Sequence, residues 1–158
     1  MKNIIYLSVF IIWGCSPKVT KQDSLPLQSM PISLEINFSE ANAIQFIVTN
    51  SSDDLVYIHH HPKLNIERLK DGEWQLLRIL PCPCGAPCAQ PAEYFDLPKG
   101  ADFSFKWNME ESWCGEIVNM PVPETIKQPV TSGNYRLKIY YSINKKDVLE
   151  FYKEFTID

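Results

Sequence analysis

Tyr135-Arg136-Leu137-Lys138-Ile139-Tyr140-Tyr141-Ser142-Ile143 decides the fold. Tyr135, Leu137, Ile139, Tyr141 and Ile143 alternate with Arg136, Lys138 and Ser142. Successive side chains of a strand point to opposite faces, so this is a strand with one face in a core. The same period of two recurs upstream. Ile32, Leu34, Ile36 and Phe38 form one such set, Ile44, Phe46 and Val48 another, and Phe103, Phe105 and Trp107 a third. Downstream, Leu149, Phe151, Phe155 and Ile157 share a face that Lys153 interrupts. No segment sustains a 3.6-residue period over three turns, so no helix is expected in the body of the chain.

Turn chemistry separates these runs. Asn50 to Asp54 is a polar cluster, and Asp71-Gly72 reads as a tight hairpin turn between Ile66–Lys70 and Glu73–Ile79. Pro98-Lys99-Gly100 precedes the Phe103 strand, and Asn144 to Asp147 precedes the last one. About eight or nine short strands in about 125 residues predict an all-β fold, a single antiparallel β-sandwich. Two Pro-rich stretches, Leu80–Ala92 and Asn108–Ser132, fit no ladder and are expected as long loops. Both carry Cys, and long loops in compact domains are often functional.

The chain has 158 residues, 45% hydrophobic and 22% charged, which is enough for one globular domain. Its formal net charge of −4 argues against a nucleic-acid partner gripped through a basic surface. The start, MKNIIYLSVFIIWGC, has a basic Lys2 and an apolar run from Ile4 to Trp13. That run is too short to span a bilayer but suits a signal peptide. Ile12-Trp13-Gly14-Cys15 resembles the lipobox of bacterial lipoproteins. The resemblance implies that residues 1–14 are removed and that Cys15 is lipidated. Two or more acyl chains give stable membrane anchoring. Residues 15–30 are polar, carry two prolines and read as a flexible tether, leaving 31–158 as the β-sandwich domain. The expected location is the bacterial cell envelope, anchored by lipid, with the outer membrane favoured and the domain facing periplasm or exterior.

Short motifs in 32–158 add a second resemblance. Thr49-Asn50-Ser51-Ser52-Asp53 ends a strand, Asp71-Gly72-Glu73-Trp74 makes a hairpin, and Leu97-Pro98-Lys99-Gly100 precedes a Phe/Trp strand. Gly133-Asn134-Tyr135-Arg136-Leu137 opens the penultimate one. In that order they resemble small bacterial immunoglobulin-like domains and the intracellular proteinase inhibitor family of bacilli. The resemblance implies an immunoglobulin-like sandwich. It also implies that Tyr135 hydrogen-bonds back across a corner.

Apart from Cys15, the chain holds Cys82, Cys84, Cys88 and Cys114. An even number in an exported domain predicts two disulfides. Cys82 with Cys84 is disfavoured, because residues two apart rarely reach disulfide geometry. Cys114 then bonds to Cys82 or Cys84, Cys88 takes the other, and the choice stays open. The rival reading is a copper or zinc site from Cys84 and Cys88 with His59 or His61, since thiolates suit soft metals. His59 and His61 alone share a strand face in His59-His60-His61. The competing reading of that run is an exposed polar strand end.

No G-x-S-x-G, P-loop, G-x-G-x-x-G or H-E-x-x-H motif occurs, and all three His lie in one run. The chain is therefore expected to be no enzyme and to need no cofactor. Trp113 and Tyr94 are aromatic residues in or near the long loops and are candidates for a contact surface, with Trp107 expected in the core. The leading expectation is a lipid-anchored, non-catalytic binding or accessory module with disulfide-stapled loops and a protein partner in the envelope. Metal binding comes second. Protease inhibition, by resemblance alone, comes third.

Overall fold

The structure is a computed structural model that describes residues 30–40, 42–59, 64–89, 92–117 and 121–158. Cys15, His60 and His61 lie outside the described residues, as do the signal peptide and all of the tether except Met30. Eleven strands follow one another: β1 (Ile32–Glu40), β2 (Ala43–Asn50), β3 (Val56–His59), β4 (Asn65–Lys70), β5 (Glu73–Leu76), β6 (Tyr94–Leu97), β7 (Asp102–Trp107), β8 (Glu110–Cys114), β9 (Thr125–Pro129), β10 (Gly133–Ser142) and β11 (Leu149–Ile157). Every pairing is antiparallel. No helix occurs among the described residues.

One sheet has the order β1-β2-β7. A second runs β5-β4-β10-β3-β6, with β11 on the other edge of β10. Their inner faces meet. Phe46 of β2 lies 5.6 Å from Phe155 of β11, Trp107 of β7 lies 6.1 Å from Tyr135 of β10, and Phe95 of β6 lies 5.0 Å from Phe103 of β7. Tyr135, Leu137, Ile139 and Tyr141 are all buried in this shared core, as their alternation predicts. The arrangement is consistent with a β-sandwich. Ile143 departs from the pattern and is exposed, because β10 ends at Ser142 and the chain turns. Asn144 Oδ1 accepts the N–H groups of Lys146 and Asp147 there, at 3.0 and 2.9 Å.

The strands that the sequence reading did not place are β6, β8 and β9. The stretch 108–132, expected as a loop, holds the β8–β9 hairpin as a separate two-stranded sheet, and Cys114 ends β8. These strands escaped the period-two reading because they present no continuous apolar face to the core. β8 is half-buried throughout until Cys114, and most of β9 is exposed.

The local signals have physical causes. Asp71 and Gly72 both have positive φ, 53° and 84°, which suits a two-residue hairpin turn closing Lys70 onto Glu73. Asn50 is fully buried and fully used. Its Nδ2 donates to the carbonyls of Asp54 (2.7 Å) and Leu97 (2.9 Å), and its Oδ1 accepts from Ser52 N–H (2.9 Å) and Oγ (2.8 Å). One amide thus ties the end of β2 to the end of β6. The apparent misfit Lys153 also has a role: its Nζ donates to the Leu34 carbonyl on β1 at 2.7 Å, linking the facing edges of the two sheets.

β3 and β4 act as one strand that has been interrupted. β10 pairs with β3 up to Tyr141↔Ile58 and with β4 from Lys138↔Asn65. Between these points β10 has two residues, Ile139 and Tyr140, while the other side has six, 59–64. The side chains stay in phase on both sides of the interruption, since Ile58 and Ile66 are both in the core.

Candidate binding site

The cysteines pair as Cys84–Cys114, with Cα atoms 5.7 Å apart, and Cys82–Cys88, 6.1 Å apart. This resolves the choice the sequence left open. Cys84–Cys114 fastens the segment after β5 to the tip of β8. Backbone contacts extend the seam: Leu80 N–H donates to Ser112 Oγ (2.8 Å), Ser112 N–H to the Arg78 carbonyl (2.7 Å), and Cys84 N–H to Thr125 Oγ1 (2.8 Å). The seam therefore touches both strands of the hairpin. Gly85 makes the fit possible. A Cβ there would stand 2.1 Å from Val122 Cγ1, and its φ of +74° is one that glycine tolerates best.

Trp113 lies on this stapled unit. It is half-buried, and the Arg78 guanidinium carbon sits 4.0 Å from its ring centroid. Around it the unit leaves apolar side chains in solvent: Ile117 is 70% exposed, Val122 41% and Ile126 37%. Ile126 is the cross-strand partner of Trp113, and Ile117 and Val122 lie on the loop that joins the two strands.

Tyr94 does not share that surface. It opens β6 in the larger sheet and belongs to a cluster with Tyr57 (5.3 Å) and His59 (6.2 Å). Lys145, on the turn before β11, folds back over both tyrosines, 4.7 and 4.4 Å from their centroids, and its Nζ donates to Tyr94 Oη at 2.9 Å. That hydrogen bond raises the Lys145 pKa. In the sequence, Lys145 reads as an ordinary turn lysine.

His59 differs from the exposed strand end considered above. It is buried beside Tyr94, and its Nε2 shares a 2.7 Å hydrogen bond with Ser142 Oγ. Cys84 and Cys88 sit in different disulfides, so in this state neither offers the thiolate that the metal reading requires. His61, its fourth residue, lies outside the described residues. Among the described residues no group of three or more His, Cys, Asp or Glu is placed to hold a metal ion.

One feature had no sequence signal. A cavity of about 350 Å³ opens where β3 and β4 part, between β10 and β7. Pro81 from the stapled segment and Ser112 from the hairpin close it on one side. Its residues are ordinary strand residues, and only the interrupted pairing brings them around a space.

No protein-family model matches this chain, and no match is found among curated proteins.

Proposed function

We propose that this protein is a lipid-anchored, non-catalytic binding module of the bacterial envelope, with an immunoglobulin-like sandwich as its scaffold. The observation that carries the reading is the stapled unit. Cys84–Cys114 fixes a loop against a hairpin, and that hairpin exposes Ile126 opposite Trp113, with Ile117 and Val122 exposed in its connecting loop. Rigid loops lose little conformational freedom on binding, and buried Trp anchors dominate many interfaces. The partner is a protein with an apolar pocket. The immunoglobulin-like assignment draws support from Tyr135. Its hydroxyl donates to the Thr131 carbonyl four residues upstream, as in the tyrosine corner of such domains. The anchor rests on Ile12-Trp13-Gly14-Cys15.

Photo-crosslinking in intact cells tests the docking face. A photoreactive residue at Ile117 should give a discrete protein adduct, lost on Trp113→Ala, and one at Asp71 should give none. Equal adducts from both positions, or none from Ile117, would remove the proposal. Cys15→Ala should release the protein from the membrane fraction, and retention there would remove the anchor.

A further inference from the structure

The cavity at the interruption between β3 and β4 has none of the exposed residues Ile117, Val122 and Ile126 in its lining. Its volume, about 350 Å³, is roughly twice that of an apolar protein cavity that takes up benzene. It lies at the lower end of the range for small-molecule pockets. Phe103, Phe105 and Trp107 of β7 line it from one sheet and Leu137 and Ile139 of β10 from the other, and the uncharged polar side chains of Asn65, Asn108 and Ser112 also border it. Trp107 is held in place, because its Nε1 donates to the Glu110 carbonyl at 3.0 Å. That bond also occupies the indole's polar atom, so the ring meets the cavity as an apolar surface.

Charged side chains at the rim have partners. Lys127 lies 3.9 Å from Glu110, and Lys138 lies between Glu67 at 3.4 Å and Glu150 at 3.1 Å. A charged ligand would lose its hydration among aromatic rings and would compete with these pairs. An uncharged one meets neither penalty. We propose that this cavity binds a small, uncharged, ring-containing apolar molecule of about a dozen heavy atoms, sized by the benzene comparison. The proposal does not rest on the docking face.

The test is a titration followed by amide and indole NMR on the full chain carrying Cys15→Ser. The probes are 2-naphthol, neutral at pH 7, and 2-naphthoate, its charged counterpart. 2-Naphthol should shift the Trp107 indole, Leu137 and Ile139 signals saturably, at least tenfold more tightly than 2-naphthoate. Leu64 and Ile79 also line the cavity, and Leu64→Phe and Ile79→Phe, which take up its space, should each weaken 2-naphthol at least tenfold. No saturable shift, shifts confined to other regions, or 2-naphthoate binding as tightly would overturn the proposal. So would full affinity in either folded variant. If neither variant folds, the pair of probes on the parent chain still decides.

Discussion

The Arg78 guanidinium lies over the Trp113 ring, 4.0 Å from its centroid, and Arg78 also accepts the Ser112 N–H through its carbonyl. One residue therefore holds β8 by its backbone and covers its tryptophan by its side chain. Arg78→Ala removes the second contact together with a 3.9 Å ion pair to Glu111, which is worth little at an exposed guanidinium. A cation–π contact at a partly exposed site contributes about 0.5–1 kcal/mol. The variant should lose about that much stability in urea unfolding, and Trp113 emission should shift to the red as water reaches the ring. An unchanged emission maximum would show that the stacking does not shield Trp113.

The two disulfides should differ in weight. Cys84–Cys114 spans 30 residues and Cys82–Cys88 spans 6. In the chain-entropy model these separations correspond to about 3.6 and 2 kcal/mol. The double variant Cys84→Ser/Cys114→Ser should unfold at clearly lower urea than Cys82→Ser/Cys88→Ser. Equal midpoints would mean that the backbone seam alone holds the hairpin.

Tyr135→Phe and Asn50→Ala probe two tie points. Tyr135→Phe deletes the single bond to Thr131 and should cost about 1–2 kcal/mol. Asn50→Ala deletes four bonds at a fully buried position and should cost about 3 kcal/mol or more. Denaturant unfolding checks both, and a smaller loss for Asn50→Ala than for Tyr135→Phe would contradict this ranking.

Stability should fall in alkali. Burial pulls the Lys138 pKa down, but its hydrogen bond to Glu150 and the charges of Glu67 and Glu150 outweigh it, so the pKa is raised. Burial raises the pKa of Tyr141. Both groups hold their protons more tightly in the folded chain. Their contribution is complete below the unfolded values, about 10 for Tyr and about 10.4 for Lys, and is lost as pH rises through the folded ones. The melting temperature should decline above about pH 10, and Tyr141→Phe should flatten the decline. An identical slope in the variant would exclude Tyr141 as a cause.

The strands that face the core were legible because burial imposes a period of two. Tyr135 to Tyr141 and Phe103 to Trp107 needed no structure to place. The Asp71-Gly72 turn was legible because few residue pairs suit two positive φ values in succession. The hairpin of β8 and β9 was not, because a disulfide and a backbone seam hold it and neither leaves a periodic trace. Trp113 and Tyr94 could be named as aromatic residues in or near the long loops, but only the topology assigns them to different surfaces. The cavity was invisible for the same reason, since it comes from a mismatch in length between paired segments.

That mismatch is a matter of register arithmetic. If His59 were joined directly to Leu64, His59 would fall opposite Tyr140 and Leu64 opposite Ile139, with every flanking pair unchanged. Leu64 would then meet Ile139 on the inner face, where an aliphatic side chain belongs. The shortened chain would then match β10 residue for residue along that edge. Four residues of extra length are thus the difference between a continuous sheet edge and one that borders an opening into the interior.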